Sequence, residues 1–313
     1  MQHSTSSKTI FVEIPLLIKS QMKVAGFTFI RNAIINDYPI TEAILSILPI
    51  CDEFVIAVGK SDDDTLLMMK NLESPKIRIV ETVWDERLKE GGSVFASETN
   101  KAFDAISADV DWAFYIQGDE CVHEQDLPLI KKEMEDRLDD KRIEGLLFNY
   151  HHFYGSYNFL AESRKWYRRE IRIIRRHLNV KSYKDAQGFR IDNRKIRVRL
   201  IKAFVNHYGW VKPPNNLVEK GQNFRQFYDK NAVKTEVPPN ASFDYGNADN
   251  LIPFKATHPA VMKSRIERAN WNFDGNISNI KSSHSFRQQV LQKVFELTRI
   301  RIGEHKNYII VSK

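Results

Sequence analysis

The 313-residue sequence predicts an α/β protein whose first 150 residues form a doubly wound sheet flanked by helices. Two observations predict this fold class. Short, nearly continuous apolar runs recur along this part of the chain, and polar or amphipathic segments of helical length separate them through short connections. The composition, 42% hydrophobic and 28% charged, is that of a folded globular protein and excludes a wholly disordered chain. No apolar run reaches the ~18 residues that a membrane span needs.

Five apolar runs give the predicted strands, which are residues 23–30, 54–58, 77–83, 112–116 and 145–150. Runs that are apolar at nearly every position are typical of strands buried on both faces. Helices are predicted between these strands, over about 39–50, from Thr65 onward, over about 94–107 and over 126–138. Asn36 and Asp37 are candidate caps of the first helix, and Pro39 suits its first turn.

After residue 164 the pattern changes. Segments 169–175 and 195–201 alternate charged with apolar residues, which predicts antiparallel strands with one face in water. The pattern is irregular beyond residue 210, until apolar positions at 290, 291, 294, 295 and 297 predict an amphipathic helix. We therefore expect one domain over 22–210 and a mostly helical C-terminal extension over 211–313. Residues 1–21 are expected to be a dispensable, disordered extension, or to precede the true start at Met22.

The net charge of +7 is concentrated in one segment. Residues 164–202 carry fifteen lysines or arginines and three acids, which is +12, so the rest of the chain carries −5. This basic segment indicates an anionic partner, such as nucleotide phosphates, a lipid headgroup or a nucleic acid, or simply two solvated strand faces. Cys51 and Cys121 are too few for a disulfide framework or a cysteine-rich zinc site, so a cytoplasmic protein is the simplest expectation.

Three polar clusters directly follow predicted strands: Arg31 with Asn32, residues 61–64, and Asp119 with Glu120. Ligands of doubly wound sheets bind beyond the carboxyl ends of the strands, so these clusters indicate a candidate site. The sequence contains no motif of P-loop enzymes, classical dinucleotide folds, serine hydrolases or zinc proteases. Asp119 and Glu120 could hold Mg²⁺ or Mn²⁺, which bind carboxylate oxygens together with substrate phosphates, or could form an ordinary solvated turn.

The order of these features resembles a known family. A strand followed by Arg31-Asn32, a strand followed by the Ser-x-Asp-x-Thr loop at 61–65, and the segment 98–120 (ETNKAFDAISADVDWAFYIQGDE) are similar to the inverting family 2 glycosyltransferases of the GT-A fold. The resemblance covers roughly residues 23–210 and implies a GT-A-like mixed sheet with a catalytic domain over 22–210. In that family the second strand ends in a loop that holds the nucleotide, and the fourth strand ends in an Asp-x-Asp-like motif that holds a metal ion and the diphosphate.

The resemblance also implies the roles of individual residues. The nucleotide-sugar-binding residues would be Arg31, Asn32, Ser61, Asp62, Asp64, Gln117 and Arg169. Asp119 and His207 would hold a divalent cation, Mn²⁺ or Mg²⁺, and Asp185 would be the catalytic base. The chain departs from the family pattern at three places. The family's usual Glu-Asp pair for the catalytic base is absent in literal form, and Asp185 stands at its approximate position. Gly59 or Lys60 stands where the first Asp of the nucleotide loop is expected, and Gln117 replaces the first Asp of the metal motif.

Each assignment has a plainer alternative. Asp185 could be a loop carboxylate paired with a neighbouring lysine, and His207 could be a packed histidine. His151 and His152 are adjacent on a predicted strand, so they point to opposite faces and are left unassigned. The aromatic and arginine side chains of 166–172 could contact a sugar and its phosphates, or could cover the edge of a sheet.

The implied function is transfer of a sugar, with inversion, from a nucleoside-diphosphate sugar to a glycan or lipid-linked glycan acceptor. A carboxylate would take the proton of the acceptor hydroxyl while the diphosphate leaves from the opposite face of the sugar. The basic segment could then contact the inner membrane face peripherally, and no nucleic-acid partner is expected. Two alternatives remain, a basic α/β protein that binds nucleic acid and a nucleotidyltransferase on a similar fold.

Overall fold

The computed structural model describes residues 21–88, 90–226, 228, 233, 235–243, 245, 251–271, 273, 285–298 and 300–312. Residues 1–20 of the predicted extension lie outside this range. The described residues form a mixed α/β structure in which helices flank one large central sheet. The predicted fold class, a doubly wound mixed sheet flanked by helices, is therefore confirmed. None of the described helices has both the length and the apolar character required to cross a bilayer.

The central sheet contains eleven of the described strands. Its strands are β1 (Val24–Ile30), β2 (Glu53–Gly59), β3 (Ile77–Thr82), β4 (Trp112–Tyr115), β5 (Glu120–Val122), β6 (Gly145–Tyr154), β7 (Ser156–Ala161), β8 (Arg169–Arg175), β12 (Arg197–Trp210), β13 (Leu251–Pro253) and β14 (Ile309–Ile310). A second sheet of three short strands contains β9 (Val180–Ser182), β10 (Phe189–Ile191) and β11 (Arg194–Lys195).

Seven α-helices are described, and several of them connect consecutive strands. They are α1 (Ile40–Ile47), α2 (Thr65–Lys70), α3 (Ser93–Asp104), α4 (Leu127–Glu135), α5 (Pro214–Gln226), α6 (Lys263–Glu267) and α7 (Phe286–Thr298). The first four overlap the predicted helical segments, and α3 begins one residue earlier than predicted. The predicted C-terminal amphipathic helix is α7.

Strands β4, β1, β2 and β3 are neighbours in that order and run parallel to one another. Their carboxyl ends therefore lie at one edge of the sheet, as the sequence predicted. On the other side of β4, strand β8 runs antiparallel to it and then pairs with β6. This arrangement brings the loops that follow β1, β2 and β4 next to one another.

Two hydrophobic cores lie on the two faces of the sheet. In β1, Val24 and Ile30 pack into one core while Ala25 and Phe27 pack into the other, because successive side chains of a strand alternate between its faces. Helices α1 and α4 cover the first core, and α3 covers the second together with β9 and β10. Burial on both faces explains why the parallel strands are continuous apolar runs.

Two sequence-based expectations are wrong in detail. Strand β8 has the predicted bounds, 169–175, but it lies inside the sheet, and its residues Arg172 and Arg175 are only 1% and 5% exposed. In the segment predicted as a strand at 195–201, Lys195 ends β11, and the residues from Arg197 onward begin β12, which pairs parallel with β6 and antiparallel with β5. The alternation of arginine and isoleucine suggested a wet face because the buried partners of these arginines are distant in sequence.

The segment after residue 210 is joined to the same sheet. Strand β13 pairs antiparallel with β7, and β14 pairs parallel with β12. Met262 packs against Phe153 and Tyr208 in a third hydrophobic cluster. The partly helical C-terminal region thus completes the central sheet at two places.

Candidate active site

A cavity of about 840 Å³ lies beyond the carboxyl end of β4. Five of the residues nominated from the sequence line it, namely Gln117, Asp119, Arg169, Asp185 and His207. They come from four separate places in the chain: the loop after β4, strand β8, the loop between β9 and β10, and strand β12. The fold therefore gathers distant polar residues around one space that is large enough for a nucleotide sugar.

The other nominated residues form a second cluster at the same edge, outside the lining of the cavity. The backbone N–H of Asn32 donates to Ser61 Oγ at 3.0 Å, and the Asn32 amide bonds both the carboxylate and the N–H of Asp62. Arg31 lies 3.7 Å from the Asp62 carboxylate. Asp64 precedes α2, and its exposed side chain makes no capping hydrogen bond. The loops after β1 and β2 are thus joined to each other.

Asp63 was not among the residues nominated for nucleotide binding, yet it also joins these two loops. Its carboxylate accepts from the N–H groups of Ile34 and Ile35, at 3.0 and 2.9 Å, and from the Thr65 N–H at 3.0 Å. Partial burial would raise its pKa, but these donors together with the Thr65 hydroxyl lower the pKa of Asp63 below its ordinary value. Asp63 therefore shapes the loop, which leaves Asp62 and Asp64 nearer to solvent.

Three aromatic rings connect this cluster to the cavity. Phe29, Trp84 and Phe95 lie 5.7–6.0 Å apart between ring centroids, and Phe95 lines the cavity. The Arg31 guanidinium lies 5.5 Å from the Trp84 ring centroid. The absence of a side chain at Gly59 makes room for Trp84, because a Cβ there would lie 2.3 Å from the indole nitrogen.

Asp119 lies at the centre of a small polar group at the end of the cavity near β12. His207 Nε2 is 3.6 Å and Lys220 Nζ is 3.3 Å from Asp119 Oδ2. Burial alone would raise the pKa of Asp119, but the neighbouring His207 and the Lys220 ammonium outweigh this effect and hold the pKa far below its ordinary value. The carboxylate is therefore ionised at neutral pH.

Gly209 makes this convergence possible. A Cβ at this position would lie 2.5 Å from Asp119 Oδ2, 2.7 Å from His207 Nε2 and 2.9 Å from Lys220 Nζ. The three polar atoms therefore surround one point, and any larger residue at 209 would occupy it. This is a case in which the close approach of side chains requires glycine.

His152, which the sequence left unassigned, orients His207. Its Nε2 lies 2.6 Å from the Tyr167 carbonyl, which can only accept, so that nitrogen carries the proton. Burial lowers the pKa of His152 well below its ordinary value, so the ring is neutral and its Nδ1 accepts from His207 Nδ1–H at 3.1 Å. His207 Nε2 is consequently fixed towards Asp119. His151 instead stacks on Phe204, so the two adjacent histidines do point apart as expected.

Glu120 is not available to a ligand, which corrects its nomination as a possible cation ligand. It is completely buried, and Arg172 binds both of its oxygens at 2.8 and 2.7 Å. The Tyr150 hydroxyl and the Gln117 N–H also donate to it. Glu120 and Arg172 thus form a buried ion pair that holds the loop of Gln117 and Asp119 in place.

Asp185 faces the cavity from a strained loop. Lys184 and Ala186 on either side of it have φ of +53° and +61°, which non-glycine residues rarely adopt. Residues with such strained backbone angles cluster at functional sites. Gln187 Nε2 donates to one Asp185 oxygen and the Tyr228 hydroxyl donates to the other, both at 2.8 Å. The neighbouring lysine of the plainer alternative is directed to the Tyr183 ring instead.

A second carboxyl group, Glu170, lines the same part of the cavity and was missed in the sequence. Its Oε2 is enclosed and has no hydrogen-bond partner among the described residues. The pKa of Glu170 is raised from 4.5 to about 8, mainly by burial. The nearby carboxyl groups of Glu120 and Asp185 also raise it, and the Arg172 guanidinium opposes them. Glu170 therefore keeps its proton at neutral pH, and a carboxyl group with a strongly raised pKa inside a cavity is typical of acid–base sites.

The cavity is rich in cationic side chains. Beyond Lys220 it is lined by Arg164, Lys165, Arg168, Arg169 and Arg301. Arg164 Nη1 and Arg301 Nε are buried and lack a hydrogen-bond partner in the described part of the chain. An anionic ligand that reached these nitrogens would not have to break an existing hydrogen bond.

Many of the remaining cationic side chains of the basic segment pair with groups of the protein itself. The pairs are Arg172 with Glu120, Arg168 with Glu304, Lys181 with Asp104, and both Arg194 and Arg197 with Glu144. Arg175 donates to the backbone carbonyls of Arg137, Leu138 and Ile143. The segment is therefore not the free positive face that nucleic-acid binding would require.

The donor set at Asp119 does not fit a divalent ion in the arrangement described. Among the described residues, no third carboxylate, histidine or cysteine joins Asp119 and His207. An ion bound to both would lie in the space above Gly209, close to the Lys220 ammonium. At about 3 Å, and with an effective dielectric constant of about 20, the repulsion is on the order of 10 kcal/mol. Lys220 would have to move before an ion could bind.

Several of the cavity residues that the sequence missed come from the C-terminal region. Lys220 comes from α5, and Arg301, Glu304 and Tyr308 come from the segment before β14. These parts lie in the C-terminal region, where neither a motif nor a clear periodicity was available. Glu170 had a signal, an acid inside an arginine-rich strand, but its burial could not be inferred.

No protein-family model matches the chain, and no curated protein matches it. Among solved structures, TarS of S. aureus is 14% identical with a TM-score of 0.41, covering 66% of this chain and 39% of TarS. The chain therefore spans less than two thirds of that protein. Glucosyl-3-phosphoglycerate synthase from Mycobacterium tuberculosis, solved with Mn²⁺ and UDP, is 17% identical with a TM-score of 0.28, covering 44% of this chain and 46% of that one. 4-Diphosphocytidyl-2C-methyl-D-erythritol synthase from Anaerococcus prevotii is 10% identical with a TM-score of 0.36, covering 63% and 95%. Similarity at this level carries no conclusion about function.

Proposed function

We propose that the protein is a glycosyltransferase that moves a sugar from a nucleoside-diphosphate sugar to an acceptor hydroxyl with inversion. The observation that carries the proposal is the cavity itself, which is lined by several cationic side chains and by the two carboxyl groups of Asp185 and Glu170. The cationic side chains suit a diphosphate, and Asp185 with Glu170 suits the acid–base part of the reaction. The acceptor class, a glycan or lipid-linked glycan, follows from the family resemblance alone.

The leaving diphosphate would be held by Lys220, Arg164, Arg169 and Arg301. Arginine binds phosphate through two parallel hydrogen bonds, and fixed positive charges stabilise the charge that develops as the phosphate leaves. The nucleoside would extend towards Phe95 and the cluster of Asn32 and Asp62, where an aromatic face and carboxylates are available for a base and a ribose. Gln117 would face the ribose or the sugar.

Asp185 would act as the base. As the bond between the sugar C1 and the diphosphate oxygen breaks, the acceptor oxygen forms the new bond to C1 from the opposite face, and its proton passes to Asp185. The electron pair of the broken bond remains on the nucleoside diphosphate. Glu170, protonated below pH 8, would donate a hydrogen bond to the sugar and would add no negative charge beside the anionic donor.

The divalent cation stays a prediction that the family resemblance implies. The position of Lys220 beside Asp119 does not support it, and no step above depends on it.

A direct test is to incubate the protein with a panel of UDP-, GDP-, CDP- and ADP-sugars and an acceptor mixture, and to measure the phosphorus product by ³¹P NMR. Release of nucleoside diphosphate supports the proposal. Release of inorganic pyrophosphate would indicate a nucleotidyltransferase instead. If no nucleoside diphosphate binds by calorimetry, but labelled DNA binds with an affinity that falls steeply with salt, the nucleic-acid alternative is correct.

A further inference from the structure

We infer that the Lys220 ammonium takes the place of a divalent cation at Asp119 and His207, so that the site binds a diphosphate without metal. The part of this inference that concerns the diphosphate rests on the proposed function. The part that concerns the metal does not, because it follows from three side chains that meet at one point.

The geometry of that point is specific. Lys220 Nζ donates to the Gly209 carbonyl at 2.7 Å and to Asp119 Oδ2 at 3.3 Å. His207 Nε2 lies 3.6 Å from the same Asp119 oxygen. All three polar atoms are within 2.9 Å of the position that a Cβ on Gly209 would occupy. An ion coordinated by Asp119 and His207, at the usual ~2.1 Å, would need this same space.

The ammonium is held there by its surroundings. Lys220 is only 8% exposed, although lysine is normally a surface residue. Its Nζ lies 5.7 Å from the ring centroid of Tyr38 and 5.5 Å from that of Trp210, within the range of cation–π attraction. A buried, charged lysine needs such partners, and Asp119 supplies the opposite charge. The lysine is therefore built into the site.

The ammonium also faces the cavity, because Lys220 is among its lining residues together with Asp119 and Trp210. One positive charge compensated by Asp119 is a weaker anchor than a divalent ion. The arginines of the cavity add to it, and two of them have buried nitrogens that lack a partner in the described chain. A diphosphate could then be bound by protein cations alone, because arginine binds phosphate through two hydrogen bonds and lysine attracts it as a point charge.

Two measurements test the inference, and both use the full chain. Mn²⁺ binding to the protein alone is followed by electron paramagnetic resonance, and UDP binding is followed by calorimetry in EDTA and again with Mn²⁺. We expect no Mn²⁺ binding below millimolar concentration in the wild-type protein, and a UDP affinity that is the same within twofold under both conditions.

The variant Lys220→Met keeps the length of the side chain and removes its charge. We expect its UDP affinity in EDTA to fall at least tenfold, and Mn²⁺ to bind once the ammonium no longer competes for Asp119. The matched control is Arg225→Met, which removes an exposed cation from the same helix and should change neither measurement.

Micromolar Mn²⁺ binding to the wild-type protein that disappears in Asp119→Asn would overturn the inference, as would an unchanged UDP affinity of Lys220→Met in EDTA. If Lys220→Met does not fold, the wild-type Mn²⁺ titration still decides the question. If neither UDP nor GDP, CDP and ADP bind under any condition, the proposed function fails, while the Mn²⁺ titration continues to test whether the ammonium excludes the ion.

Discussion

Replacing Glu170 by glutamine should stabilise the protein progressively as the pH rises from acidic to alkaline. The folded protein raises the pKa of Glu170 from 4.5 to about 8 because its carboxyl group is buried near other acids. Between these two values the folded state keeps a proton that the unfolded state has released. Unfolding then releases a proton, so the contribution of Glu170 to the free energy of unfolding becomes less favourable as the pH rises. Glutamine has nearly the same shape and no proton to release.

The size of the effect follows from the shift. A change of 3.5 units, from 4.5 to about 8, corresponds to about 5 kcal/mol at about 1.36 kcal/mol per unit, as an upper bound. Within the window the slope is about 1.4 kcal/mol per pH unit, so the advantage of the variant should grow by 2–3 kcal/mol between about pH 5.5 and 7.5. Urea unfolding followed by tryptophan fluorescence at both pH values measures it.

The matched control is Glu81→Gln, which changes a carboxylate whose side chain is 61% exposed and paired with Lys70 on the surface. Its effect should stay within about 1 kcal/mol at both pH values. If the stability difference between wild type and Glu170→Gln is the same at pH 5.5 and 7.5, the carboxyl group is already ionised in the folded protein, and the assigned protonation states are wrong. Loss of turnover in Glu170→Gln at every pH would show that the Glu170 carboxyl group does more in the reaction than donate a hydrogen bond, which glutamine can also donate.

Three further predictions concern the loop after β4 and the site. Arg172→Met should lower the free energy of unfolding by about 3–5 kcal/mol, because it leaves the buried Glu120 carboxylate unpaired. The double variant with Glu120→Gln should recover part of that loss. Equal urea midpoints for the wild type and Arg172→Met would contradict this prediction. Asp185→Asn should reduce turnover by more than ~100-fold while the calorimetric affinity for UDP is retained, and normal product release would exclude Asp185 as the base. Gly209→Ala should weaken UDP binding more than tenfold, because the added Cβ would lie within 2.9 Å of Asp119, His207 and Lys220. If calorimetry gives the wild-type affinity for this variant, the three side chains can move away from the added methyl group, and the reasoning is wrong.

The central sheet was predictable because its strands are buried on both faces. In β2, for example, residues 54–58 alternate between the two cores, so every position is apolar and the run stands out in the sequence. The environment of β8 was not predictable. Its arginines bind Glu120 and backbone carbonyls that are more than thirty residues away, and no local pattern distinguishes them from arginines on a wet face.

The candidate site shows the same division. The resemblance placed Asp119 and His207 near each other, and their side chains do lie 3.6 Å apart, although their role stays a prediction. Lys220 lies 101 residues after Asp119 in the chain, in a region without a motif, so only the folded structure reveals that the two meet. The protonation of Glu170 likewise depends on burial, which sequence alone does not give.

The short strand β14 pairs with the start of β12, and residues 301–308 just before it contribute Arg301, Glu304 and Tyr308 to the cavity. A chain shortened before residue 300 would retain nearly the whole sheet, so its secondary structure should be close to that of the full chain. Its binding site would nevertheless be open on one side. A protease that cleaves near Gly303 should therefore abolish ligand binding before it unfolds the protein, and a bound ligand should slow that cleavage.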